Sequence, residues 1–338
     1  MTPSAKITLY LSAHDRIIAV PSGTGRRWAE AVLDLSDFAK IHHQTRTLTL
    51  NDKVRARQAL AHLHQAARDC QVTIATHPRP YLGDIAETIV AALPGHWRAD
   101  IEPLPEAQDP YYLRDFLWET GEISDLLDRS QLGFAAVLRD GGGTELLLVE
   151  RPSDGAYMVG ALIPSPDYLD ATASAPRSII ASDARLAARF TQTRLLPDYN
   201  RAVHLSRLDE AERDLRWARE EHEPGAYDAA DLQAALYRFR DHAVAFIATL
   251  RDNTTLSAEQ TTFLDHMVNG LSLHAPDDLD PKTLADAEAV WLADGQELIE
   301  MARAATPVPV TPPAKPKSPA TAPPPPGAWT FHAPGPRR

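Results

Sequence analysis

The segment Gly133–Pro164, GFAAVLRDGGGTELLLVERPSDGAYMVGALIP, carries the fold reading. It is the most apolar part of the chain. Asp140-Gly141-Gly142-Gly143 is a hairpin turn, because glycine reaches positive φ at no steric cost. Val137 on one side and Leu146–Val149 on the other give near-continuous apolar strands. Such strands predict a sheet covered on both faces rather than one with a wet side. A third strand follows, ending near Pro164.

Upstream, strand-like and helix-like stretches alternate over residues 6–101. Lys6–Leu11 and Arg16–Val20 read as strands around an Ala13-His14-Asp15 turn. Arg26–Leu35 reads as a helix with Trp28, Val32 and Leu35 inward. Arg46–Leu50 alternates like a strand, and Asn51 is the expected N-cap of a helix reaching Asp69. Val72–Ala75 is a further strand. Asp84-Ile85-Ala86-Glu87 has the form of a capping box opening a helix that stops at Pro94-Gly95, and a last strand runs through Trp97–Ile101. The order ββαβαβ points to one small mixed sheet with helices against it.

Tyr112–Asp128 reads as a helix interrupted near Gly121. From Asp183 to Ala305 the pattern is helical throughout. Its clearest member runs through Leu232, Leu236, Phe239, Ala243, Phe246 and Leu250. Ser257-x-x-Gln260 is a capping box, and Asp280-Pro281 is an N-cap followed by a first-turn proline. Residues 306–338 hold 12 of the 28 prolines and no acid, a composition unable to build a core. The expected class is α+β: a small mixed sheet with helices over 1–105, an acidic helix and buried hairpin sheet over 106–175, an all-helical part over 176–305, and a disordered proline-rich tail over 306–338. The first two regions are compatible with a single domain.

With 44% apolar residues the chain has the material for a core, and 338 residues leave room for two domains and a tail. A net charge of −12 opposes unspecific binding of the whole chain to nucleic acid. The single cysteine, Cys70, forms no internal disulfide and argues against a disulfide-stabilised secreted scaffold. No apolar block follows Met1–Lys6, and no window reaches the roughly 20 apolar residues of a membrane span. These features lead to the expectation of a cytoplasmic protein without membrane partners.

Ala136-Val137-Leu138-Arg139-Asp140 and Leu146-Leu147-Leu148-Val149-Glu150-Arg151 resemble the opening strands of Nudix hydrolases over about 30 residues. The resemblance implies a magnesium ion held by a glutamate-rich helix of form G-x5-E-x7-R-E-x2-E-E. The chain departs from that pattern, having no glutamate between Glu150 and Glu210. The carboxylates that Mg²⁺ requires are therefore missing from this interval.

Four other features bear on function. His77-Pro78-Arg79-Pro80-Tyr81-Leu82-Gly83-Asp84 is a proline-stiffened loop between a strand and a helix, where α/β sheets place ligand groups. Its candidate roles are His77 as general acid or base, Arg79 as anion clamp and Asp84 as orienter. Ser22-Gly23-Thr24-Gly25-Arg26-Arg27 precedes a helix, and helix N-termini attract anions, but the lysine and spacing of a P-loop are absent. Residues 100–170 carry 15 acids and 4 bases, with Asp115, Glu119, Glu122, Asp125 and Asp128 along one helical segment. Residues 177–219 carry nine arginines and six acids, so the arginine helices are expected to pack against the acidic segment. The fourth feature is Trp329 and Phe331, followed by Arg337 and Arg338, at the end of the polyproline tail, a composition suited to docking on a protein partner.

His42-His43 and His62/His64 lack metal-ligand spacing, and no metal or cofactor is expected. With every catalytic motif incomplete, the first reading is a non-enzymatic accessory protein with a partner-docking tail. The alternative is an enzyme or binding protein for a phosphate- or carboxylate-bearing small molecule at His77–Asp84. The third is a nucleic-acid-associated protein using Arg26, Arg27 and the arginines of Arg185–Arg219.

Overall fold

A computed structural model describes residues 4–42, 45–104, 113, 115–118, 122–129, 132–165, 175–220, 229–275 and 279–308. The architecture is α+β, with two sheets followed by a helical part. The first sheet contains β1 (Lys6–Ser12), β2 (Arg16–Ser22), β3 (Ala39–His42), β4 (Thr45–Thr49) and β5 (Thr73–Thr76), in the order β3-β4-β2-β1-β5. β1 and β5 are parallel and the other neighbours antiparallel, so this sheet is mixed as expected. The β1–β2 turn falls at Ala13-His14-Asp15, with Ser12 opposite Arg16 and Asp15 in the left-handed region at φ 51.

Helices α1 (Arg26–Asp34) and α2 (Lys53–Asp69) cover one face of this sheet. Ile7, Leu9, Ala19 and Leu48 meet Val32, Leu33, Ala59 and Leu63 there. The inward face of α1 differs from the sequence expectation: Ala29, Val32 and Leu33 are buried, whereas Trp28 and Leu35 are 58% and 71% exposed. Small Ala29 allows the close approach of helix to sheet that an indole at that position would prevent. The N-cap of α2 is Asp52, not Asn51; its carboxylate accepts from Val54 N and Arg55 N at 2.9 and 3.0 Å.

The second sheet holds β6 (Arg98–Pro103), β7 (Leu117–Trp118), β8 (Phe134–Arg139), β9 (Glu145–Glu150), β10 (Tyr157–Leu162) and β11 (Ile179–Ala181). Its order is β11-β10-β9-β8-β6, with β7 also paired to β10, and every pairing is antiparallel. The strand near Trp97–Ile101 therefore belongs here and not to the first sheet, which corrects the reading of residues 6–101 as one sheet. Arg139 helps fix β6 in place, donating to Asp100 on β6 at 2.6 Å and to Glu145 on β9 at 2.7 Å. The expected helix over Tyr112–Asp128 is also corrected, because β7 occupies its middle and α4 spans only Glu122–Arg129. The acids Asp115, Glu122 and Asp125 thus do not share one continuous helix.

The hairpin sheet is buried on both faces, as its sequence requires. Phe134, Ala136, Leu138, Leu146, Leu148, Tyr157, Val159 and Ala161 point to one side. There they meet α3 (Leu82–Ala92), α5 (Ala184–Phe190) and the start of α6 (Leu196–Glu220), through Ala86, Ile89, Ala187, Ala188, Tyr199 and Ala202. Ala135, Val137, Leu147, Val149, Met158 and Leu162 point to the other side, under Leu113 and the α4 residues Ile123 and Leu127. Burying each of these leucines is worth about 1.5–3 kcal/mol. Ile18 and Val20 of the first sheet enter the same core as α3, so this helix and Tyr81 bridge the two sheets.

A π-helical turn at Thr191–Leu195 joins α5 to α6. The 25-residue α6 leaves the sheet core at Val203 and enters a separate helical core at Leu208. That second core is shared with α7 (Ala229–Asn253), α8 (Ala258–Gly270) and α9 (Pro281–Ala304). At its centre the rings of Phe239 and Trp291 lie 5.6 Å apart. The Ser257–Gln260 capping box and the Asp280 cap with Pro281 form as the sequence requires. Among the described residues no helix is long and apolar enough to cross a membrane.

Candidate functional site

His77 and Arg79 leave the carboxyl end of β5, the strand parallel to β1. The His77 N–H donates to the Leu9 carbonyl at 2.8 Å, which extends the β1–β5 ladder by one bond and fixes the start of the loop. The His77 ring lies over Tyr10, with centroids 4.7 Å apart. Tyr10, Tyr81 and Phe134 form an edge-to-face aromatic group between the sheets, at 5.9 to 6.0 Å. The Arg79 N–H donates to His77 Nδ1 at 3.4 Å, which leaves the proton of the neutral ring on Nε2.

Arg79 reaches across to the second sheet. Its Nη1 lies 3.1 Å from Oε1 of Glu150, the last residue of β9. Gly155, in the loop between β9 and β10, makes room for this reach. A Cβ there would fall 0.5 Å from Arg79 Nη1, and the residue has φ +68. The loop is held by Arg151, whose Nε and Nη2 donate to Asp154 at 2.9 and 2.6 Å. The Arg151 guanidinium draws the Asp154 carboxyl down to about 2. This loop leads directly into β10, and among the described residues no glutamate-bearing helix follows the hairpin before Glu210 to supply the magnesium site implied by the Nudix resemblance.

The electrostatics centre on Glu150. Burial pushes its carboxyl above the ordinary value, and the Arg79 guanidinium, with the nearby His77 ring, opposes that rise. Burial also raises the Tyr10 hydroxyl to about 12, with Glu150 adding to the effect. The Tyr157 hydroxyl is raised by burial and then by Glu150. Two neutral hydroxyls, an imidazole, a guanidinium and a half-buried carboxylate thus converge where the two sheets meet. The set can donate hydrogen bonds to an anion, from Arg79, the two hydroxyls and the His77 Nε2–H, and exchange a proton through Glu150.

Asp84 is not part of this set. It is buried, and its carboxylate accepts from Ser12 Oγ at 2.9 Å and from the Ala13 N–H at 2.8 Å, tying the β1–β2 turn to α3. Nor does it cap: α3 begins at Leu82 after Tyr81, with no side-chain cap, and Asp84 stands in the first turn. His14 and Glu87, paired at 3.0 Å, lie close to this tie.

The remaining candidates separate. Arg26 pairs with Glu30 at 2.8 Å along α1, and the turn before it closes on Ser4 through the Gly25 N–H to Ser4 carbonyl bond at 3.0 Å. Among the described residues, the ion pairs of α6 are made by its acids. Glu212 bonds Arg303, Asp214 bonds Arg238, and Glu210 bonds His242, at 2.7 to 2.8 Å. Arg213 and Arg216 are exposed, and Arg219 donates to the Leu292 carbonyl in the middle of α9. No ion pair among the described residues joins these arginines to the acids of 100–170, and Glu106, Asp109, Glu119, Asp167 and Asp170 of that segment lie outside the described residues. Trp329, Phe331, Arg337 and Arg338 lie outside the described residues.

Sequence reading missed Glu150, Tyr10 and Tyr157. Glu150 carried one signal, as an acid directly after the apolar run Leu146–Val149. Comparison of the chain with protein-family models, with curated proteins and with solved structures gives no match.

Proposed function

We propose that the protein binds, and acts by proton transfer on, a small molecule bearing a carboxylate or phosphate at the junction of its two sheets. The observation that carries this reading is the Arg79–Glu150 contact at 3.1 Å, made between the two sheets beside His77. A surface ion pair built for stability alone contributes little. Here the pair sits within a group of aromatic hydroxyls, and its carboxyl is shifted toward neutrality by burial. Perturbed titratable groups gathered from separate elements are a mark of functional sites. In this reading Arg79 and the Tyr157 hydroxyl hold the ligand's anionic group. Glu150, released from Arg79 as the ligand takes over the guanidinium, becomes the proton acceptor. The His77 Nε2–H donates a hydrogen bond to the ligand.

The test is a thermal-shift panel of sugar phosphates, nucleotides and di- and tricarboxylates on the wild-type chain and on Arg79→Ala. A compound that raises Tm in the wild type and not in Arg79→Ala supports the reading. Absence of any shift across the panel, or the same shift in both proteins, refutes it. The partner-docking tail is a separate proposal resting on Trp329, Phe331, Arg337 and Arg338. Deleting 306–338 tests it, and an unchanged set of co-purified partners would sink it.

A further inference from the structure

We infer that His14, Asp84 and Glu87 form a binding site for a divalent transition-metal ion of the Zn²⁺ class, on residues separate from the Glu150 group. One ligand atom from each of the three residues can be chosen so that all lie within 4.8 Å of one another. They come from two elements held together by the Asp84 tie: His14 from the β1–β2 turn, and Asp84 and Glu87 from successive turns of one face of α3. With metal–ligand distances of about 2.0–2.2 Å, adjacent ligand atoms around an ion stand roughly 3.0–3.5 Å apart. His14 Nε2 and Glu87 Oε2 are already at 3.0 Å. Their side chains are 53% and 62% exposed, which leaves them free to turn toward an ion held by Asp84.

Asp84 supplies the independent argument. It is 8% exposed, yet among the described residues both hydrogen bonds to its carboxylate come from neutral donors, the Ser12 hydroxyl and the Ala13 amide. Among the described residues no lysine or arginine pairs with it. The amide end of α3 offsets part of the charge, because Asp84 lies in the first turn. A buried carboxylate without a full counter-charge is paired or metal-bound as a rule. The two donors also act as an outer shell, orienting the carboxylate while leaving a lone pair on each oxygen. One imidazole with two carboxylates suits Zn²⁺ or Mn²⁺ better than Ca²⁺, whose sites are built from oxygen alone. The three ligands leave positions open for water.

The experiment is isothermal titration of the full chain with ZnCl₂, compared with His14→Ala, Glu87→Gln and His64→Ala. His14 and Glu87 are exposed, so circular dichroism should show both variants folded; His64 is an exposed histidine on α2 that serves as the surface control. The expected result is one saturable site, weakened at least tenfold in His14→Ala and in Glu87→Gln and unchanged in His64→Ala. The inference is overturned if the wild type does not bind, if either ligand variant weakens binding less than tenfold, or if His64→Ala weakens it equally.

Discussion

Replacing Gly155 by alanine would put a methyl group where the Arg79 guanidinium lies, 0.5 Å from Nη1 and 1.4 Å from Cζ. Two costs follow, and they are separable. Alanine at φ +68 occupies the left-handed region, which costs about 1 kcal/mol. The methyl also forces Arg79 away from Glu150. Their side chains are 34% and 21% exposed, so the ion pair is partly screened, and losing it costs about 1 kcal/mol more. Leaving half-buried Glu150 without its cation raises the total to roughly 2–3 kcal/mol. Gly141 is the control. Its φ of +75 is similar, but nothing lies within 4 Å of an added Cβ, so Gly141→Ala should cost only the backbone part, about 1 kcal/mol. Urea unfolding followed by circular dichroism, at equal m-values, reads both. In an Arg79→Ala background the cost of Gly155→Ala should fall to that of Gly141→Ala. Equal costs for the two glycines in the wild-type background would refute the placement of Arg79. So would an undiminished Gly155→Ala effect once Arg79 is removed.

Leu147→Ala, in the fully buried centre of the hairpin sheet, should lower unfolding free energy by about 2–5 kcal/mol, whereas Trp28→Ala should stay within about 0.5 kcal/mol, both read by the same urea curves. Ser12→Ala removes a donor from buried Asp84 and should cost about 1–2 kcal/mol. For pH, the hydrogen bond from His242 holds the Glu210 carboxyl below its ordinary value. A depressed folded-state pKa means that the unfolded chain binds the proton more readily. The stabilisation is therefore fully present above the unfolded value of about 4.3 and is lost as pH falls through the lower folded value. Wild type should accordingly exceed Glu210→Gln in urea midpoint at pH 7, and the gap should narrow on acidification toward pH 3; a gap that widens would contradict the pairing.

Much of the architecture was legible because it depends on local chemistry. The Gly141–Gly143 turn, the two-sided burial of Leu146–Val149, and the caps at Ser257 and Asp280 are each written within a few residues. The seven-residue spacing of Leu232, Phe239 and Phe246 likewise names its own buried face. What was not legible depends on partners distant in the chain. Nothing in RADIEP says that β6 pairs with β8 across an intervening helix rather than with its sequence neighbours. The inward face of α1 was misread because size was weighed over fit: Ala29 packs inside, and Trp28 stays out. At the site, His77 and Arg79 were found from a stiff loop after a strand, which is a local signal. Glu150 was not, since its role appears only when Arg79 crosses from the other sheet and Gly155 makes room. Asp84 looked like a cap because Asp-x-x-Glu has that form, yet its buried carboxylate meets Ser12 and Ala13 on another hairpin.

The central claim is that Arg79, His77 and Glu150 together receive an anion. Its most direct measurement is the NMR signal of the His77 ring, assigned by comparison with His77→Gln and followed as inorganic phosphate is added to wild type and to Arg79→Ala. The His77 signals should shift saturably in the wild type, and this shift should be lost in Arg79→Ala. Signals that do not move, or that move equally in both proteins, would contradict it.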